Sequence, residues 1–219
     1  MVTYNVNDER IEDFIKSLDD YDEEIESLKD YALKNDVPII RDETRNFLRL
    51  LLRIKKPRKV LELGTAIAYS TLVIYKSCDK DIDSIVTVEN NIDRIKEAKT
   101  NIEKFFDDKK VVLIEDDITN YLESAEKEEK YDFVFLDAAK AQYIVWLPIL
   151  KKLMKKGAVL LADNIFKDGE ILESRYTIIK RDRTIHKRMR EYLHEVAKDI
   201  DFDTTIFNVG DGISVSIKK

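Results

Sequence analysis

Five apolar runs of strand length recur along the chain, each separated from the next by a stretch with helical spacing. They are VLELG (60–64), SIVTVEN (84–90), VVLIEDD (111–117), YDFVFLDA (131–138) and AVLLADN (158–164). These runs are almost continuously hydrophobic and rich in Val, Ile and Leu, which suits parallel strands covered on both faces. The stretches between them, 68–77, 91–106, a short one at 119–127 and 140–155, read as helices. In 91–106, Ile92, Ile95, Ala98 and Ile102 fall on one helical face, which Phe105 and Phe106 extend. Repeated β–α alternation predicts a doubly wound α/β sheet with right-handed crossovers and helices on both faces.

The two ends of the chain read differently. Residues 8–53 hold two or three helices broken at Asn35–Pro38, and 172–200 read as a helix with a basic face. TTIFNV (204–209) and ISVSIKK (213–219) alternate with period two around Gly210-Asp211-Gly212, a hairpin signal. A Rossmann-like sheet of seven strands with its last strand antiparallel is therefore expected. The whole chain, 1–219, reads as one domain, with a helical extension at 1–55 and the core at 56–219. The chain has 5 glycines, against about 15 at average usage. Gly157 is expected to end the helix that precedes the fifth strand.

Composition removes several classes. With 44% hydrophobic residues the chain supports a core and is not disordered. The single cysteine, Cys78, excludes a disulfide framework, and two histidines, His186 and His194, make a His-rich metal centre untenable. No apolar run approaches the ~18 residues of a membrane span, and the polar N-terminus is unlike a signal peptide. A cytoplasmic protein is expected, with neither a membrane nor DNA as partner. The net charge is -6, but it is unevenly spread. Residues 19–30 are strongly acidic, whereas 53–59 and 180–190 (KRDRTIHKRMR) are strongly basic. An acidic total thus leaves an RNA partner open, because basic patches act locally.

In such sheets ligands bind beyond the carboxyl ends of the strands. Gly64 stands after the first strand, in ELGTAIAYS, and the pyrophosphate pattern G-x-G-x-x-G is absent. Glu89 ends the second strand, where an acid accepts both hydrogen bonds of a ribose diol. Asp116 and Asp117 end the third, in reach of an adenine amino group. An adenosine pocket without a phosphate pocket points to S-adenosylmethionine.

The fourth strand ends in Asp137 and the fifth in Asp163-Asn164. Neighbouring strands would bring these three together, two carboxylates and an amide oxygen suited to Mg²⁺ or another hard divalent cation. An Asx turn also accounts for Asp163-Asn164, and the sheet order favours the cation. Lys140, one helical turn beyond Asp137, reads as a general base whose pKa a nearby divalent cation and a desolvated pocket depress, or as a surface lysine. Tyr143, one turn further, would orient the acceptor.

GTAIAYS, LDAAKAQY and ADN together resemble the metal-dependent class I O-methyltransferases of the catechol and caffeoyl-CoA type, from about Asp36 to Lys219. DVPII (36–40), the KRDR segment and the closing VGDGISVSIKK look most like the bacterial tRNA 5-hydroxyuridine methyltransferases within that family. The resemblance implies metal ligands at Asp137, Asp163 and Asn164, and cofactor contacts at Ile40, Gly64, Ser70, Glu89, Asp117 and Asp137. It implies Lys140 as the base, a homodimer, and a tRNA substrate whose wobble 5-hydroxyuridine becomes 5-methoxyuridine. Arg181, Arg183, Lys187, Arg188 and Arg190 would then hold phosphates. The alternative acceptor is a small catechol-like molecule, in a pocket lined by Trp146, Tyr143 and Phe166. Ala68 departs from the pattern, standing where the family has glycine.

Overall fold

A computed structural model describes residues 9–19, 22–78, 82–106, 110–125, 130–167, 169–174 and 176–219. Helices α1 (Glu9–Ser17), α2 (Glu23–Lys34) and α3 (Asp42–Lys55) precede the sheet. The strands are β1 (Lys59–Leu63), β2 (Ser84–Glu89), β3 (Val111–Glu115), β4 (Tyr131–Leu136), β5 (Met154–Ala162), β6 (Phe202–Phe207) and β7 (Ile213–Lys218). Between them run α4 (Tyr69–Ser77), α5 (Ile92–Phe105), α6 (Ile118–Ser124), α7 (Tyr143–Leu153) and α8 (Arg183–Lys198). The sheet order is β3-β2-β1-β4-β5-β7-β6. The first five strands pair in parallel, and β7 runs antiparallel to both β5 and β6. No described helix is long and apolar enough to cross a membrane.

Strand alternation builds a core on each face of this sheet. Val60, Phe133, Phe135, Val159 and Leu161 face one side with α2, α3 and α4. Leu61, Leu63, Val134, Leu136 and Leu160 face the other with α7 and α8. Helices α2 and α3 thus share a core with the sheet. Four acids of the run 19–30 have basic partners among the described residues. Lys76 of α4 holds both oxygens of Asp22 at 2.9 and 2.8 Å and pairs with Glu24. Buried Arg45 of α3 reaches Glu26 at 2.7 Å and Asp19 at 2.8 Å.

Two expected boundaries move. The helix read over 140–155 divides into a 3₁₀ turn, Lys140–Gln142, and α7, and it stops at Leu153. Gly157 is therefore no helix cap. It lies inside β5 at φ +75, where the pairing with β4 slips between Tyr131 and Phe133; a bulge of this kind favours a glycine. The helix expected over 172–200 begins only at Arg183.

Candidate active site

The carboxyl ends of β1, β2, β4 and β5 open into a cleft of about 570 Å³. Its wall includes Ile40, Gly64, Ser70, Glu89, Asp117, Asp137, Lys140 and Asn164, so most of the expected residues meet there. At Gly64, φ is +106, and a Cβ would lie 2.1 Å from the Asp137 carbonyl oxygen. Only glycine lets β1 turn this close to β4. Ala66 and Ala68 follow with φ of 45 and 66, a left-handed path that delivers the chain into α4. Glu89 holds this loop, since its Oε2 accepts from the Ala66 N–H at 2.9 Å. Its Oε1 accepts from the N–H groups of Asn90 and Asn91, both at 3.0 Å. Asp117 caps α6 through Thr119 N–H and takes a bond from the Asn90 amide.

Asp116 is a correction: it stands exposed outside the cleft wall. Its Oδ1 accepts from Asp117 N–H and the Asn120 amide, closing the turn rather than meeting a ligand. Of the expected aromatic wall, one of three residues reaches the cleft. Trp146 lines the cleft and donates to Thr119 Oγ1 at 3.2 Å. Tyr143 is fully buried, and the Phe166 ring lies where a Cβ on Gly212 would fall, away from the cleft.

At the other end of the cleft, the Lys140 ammonium donates to Asp137 Oδ1 at 2.7 Å, Asn164 Oδ1 at 3.0 Å and the Tyr143 hydroxyl at 3.1 Å. Burial alone would lower the Lys140 pKa, but the charges of Tyr143 and Asp137 and their hydrogen bonds outweigh it and raise it. Without a cation beside it the ammonium sits among oxygens and is raised; the depression expected of Lys140 belongs to a site that holds a divalent cation. Burial pushes the Tyr143 hydroxyl up to about 12. That hydroxyl accepts from Ala138 N–H and reaches the Leu136 carbonyl, tying down the end of β4.

Asp163 is fully buried. Its Oδ1 accepts from Asn164 N–H at 2.8 Å and the Thr44 hydroxyl at 3.3 Å, and its Oδ2 has no partner. Burial, then the charge of Asp137, raises its carboxyl to about 6. A partnerless buried carboxylate oxygen is costly. Beside Asp137 and Asn164 it completes a set of hard oxygen donors that fits a divalent cation. Among the described residues no group of three or more His, Cys, Asp or Glu is arranged for a metal; this set has only two carboxylates, with an amide as its third member.

Sequence reasoning passed over Glu62, although an acid inside a buried strand was a visible signal. It lies beneath the Gly64 loop and accepts from Thr71 at 2.5 Å and Thr87 at 2.7 Å, with Oε1 unpartnered. Burial raises it to about 7, against the nearby hydroxyls of Ser70, Thr71 and Thr87, which lower it. Thr44 gave no sequence signal at all.

Part of the basic segment is tied into the fold. Arg183 Nε donates to the Ile178 carbonyl, Arg188 to that of Ala141 and Arg190 to that of Ile171. Three of the five expected phosphate contacts thus hold loops against α8. Arg181 and Lys187 remain largely exposed.

The family model described as O-methyltransferase matches residues 16–219. A caffeoyl-CoA O-methyltransferase of Medicago sativa is 27% identical over 180 residues, 77% of this chain and 70% of its own length. A Staphylococcus aureus crystal structure, provisionally described as a caffeoyl-CoA O-methyltransferase, superposes with a TM-score of 0.85 at 28% identity, covering 98% of this chain and 100% of that one. A Bacillus cereus O-methyltransferase in complex with SAH shares the fold, with a TM-score of 0.83 at 23% identity over 96% of this chain and 97% of its own.

Proposed function

The chain belongs to the O-methyltransferase family, and we propose that its cleft moves the methyl group of S-adenosylmethionine to one of two adjacent oxygens on a small, catechol-like acceptor. The convergence of Asp137, Asp163 and Asn164 beside Lys140, with Asp163 Oδ2 left unpartnered, carries this reading. The named activity of the Medicago sativa relative supports it.

Glu89 accepts from the ribose hydroxyls of the methyl donor, and Gly64 lets the backbone approach it. Ile40, Ser70, Asp117 and Asp137 complete that wall. Asp137, Asp163 and Asn164 would hold Mg²⁺ or another hard divalent cation. When bound, the cation supplies positive charge that stabilises an acceptor oxyanion at neutral pH. Lys140 stands beside the acceptor position: as an ammonium it donates to the acceptor oxygen, and as a neutral amine, which a cation taking over Asp137 and Asn164 would favour, it accepts the hydroxyl proton at Nζ. The protein's main contribution is alignment of acceptor oxygen, methyl carbon and sulfonium.

Purified protein incubated with S-adenosylmethionine, Mg²⁺ and a catechol tests the reading by mass spectrometry of the methyl ether. A mono-methyl product that disappears in chelator, and with Asp137→Ala or Asp163→Ala, is expected. Undiminished turnover in chelator overturns the cation role, and no transfer to any vicinal diol overturns the acceptor.

A second acceptor is favoured by exposed Arg181 and Lys187 in the basic segment. The 5-hydroxyl and 4-carbonyl of a tRNA 5-hydroxyuridine also present adjacent oxygens. Formation of 5-methoxyuridine on tRNA, with none on catechols, selects it.

A further inference from the structure

We propose that Thr44 is a positioning residue for the cation site, its hydroxyl fixing the Asp163 carboxylate so that Oδ2 is left for the ion. The inference rests on the reading of Asp137, Asp163 and Asn164 as ligands. Thr44 lies in the first turn of α3, 119 residues from Asp163 in sequence, and is 1% exposed. It stands outside the cleft wall, as Asp163 does, and bonds Asp163 Oδ1 at 3.3 Å.

Both donors to Asp163, the Asn164 N–H and the Thr44 hydroxyl, meet Oδ1, and none meets Oδ2. That division sets which oxygen is occupied by the protein and which is available. The hairpin turn backs this arrangement. A Cβ on Gly210 would lie 2.6 Å from Thr44 Oγ1, so the turn comes up against the hydroxyl and only a glycine leaves it room. Ligating carboxylates are oriented by such outer hydrogen bonds, whose loss commonly weakens metal binding by about 10- to 100-fold.

Manganese serves as the probe, titrated into the full-length protein by calorimetry and electron paramagnetic resonance, with no methyl donor or acceptor present. Thr44→Val, which keeps the shape and removes the donor, is expected to lose at least about 10-fold in affinity. Thr44→Ser, which keeps the donor, is expected to restore most of it. Affinity for S-adenosylhomocysteine should be unchanged in both. Should the valine variant fail to fold, Thr44→Ala gives the same comparison. Wild-type affinity in the donor-less variant, or equal weakness in Thr44→Ser, overturns the proposal. Asp163→Asn separates the underlying reading: if the wild type binds no manganese, or Asp163→Asn binds as well as it does, the cation site itself is wrong.

Discussion

Lys140 Nζ lies 2.7 Å from Asp137 Oδ1 and holds a carboxylate that the cation reading also requires. An ammonium and a divalent cation compete for the same oxygens. Replacing Lys140 with Met should therefore leave manganese affinity equal or higher, while kcat falls by about 10²- to 10⁴-fold through loss of the acid–base group. Metal titration and steady-state kinetics on one preparation check both.

Glu62 gives the fold a pH dependence of defined sign. Its carboxyl is raised from 4.5 to about 7 in the folded chain. The folded state therefore holds a proton that the unfolded state releases. The resulting stability is full below pH 4.5 and is lost as pH rises through about 7, amounting to about 3 kcal/mol. Asp163, raised to about 6, adds the same sign in the absence of divalent cations. Thermal unfolding should show the melting temperature falling between pH 5 and 8, and Glu62→Gln should flatten most of that slope. An unchanged slope in the variant would contradict burial as its source.

Gly64 tolerates no side chain. Gly64→Ala places a Cβ 2.1 Å from the Asp137 carbonyl oxygen at φ +106. Left-handed strain and overpacking together cost about 2–5 kcal/mol. The melting temperature should drop by several degrees or more, and S-adenosylhomocysteine binding should fall with it, because the same carbonyl belongs to a cleft residue.

Arg188 should behave as a structural arginine. Its guanidinium donates to the Ala141 carbonyl at 3.2 Å, beside the 3₁₀ turn that carries Lys140. Arg188→Ala is expected to cost about 1.5–3 kcal/mol of stability. Arg181→Ala, at an exposed position, should leave stability unchanged. If the chain binds tRNA, filter binding across a salt series should show Arg181→Ala lowering the salt dependence, since exposed cations supply counterion release.

Periodicity and strand-end chemistry were legible because both are local. The alternation of β and α, the closing hairpin and the set Gly64, Glu89, Asp117, Asp137 follow from runs of five to eight residues and the rule that ligands gather at carboxyl ends. Asp116 and Asp117 looked equivalent by the same rule. The strand's last turn sent one into the cleft and the other onto Asn120. Gly157 was misplaced because helix ends and strand bulges both favour left-handed glycine. The direction of the Lys140 shift depended on Asp137 and Tyr143, each 3 residues away, which the 3₁₀ turn brings together on the ammonium. Thr44 depended on a contact across 119 residues, which no local pattern encodes.

That last contact bears on how the chain matures during synthesis. The Gly64 loop, Glu89 and Asp117 are bracketed by strands complete by residue 136. The Asp163 loop is different. Its Ile165 and Phe166 N–H groups bond the carbonyls of Gly212 and Asp211, and β5 needs β7 as its outer neighbour. On a ribosome-bound chain the Gly64 loop should therefore be able to form before the Asp163 loop, which needs the final residues to have emerged. Truncation of the last strand should separate the two, sparing the first longer than the second.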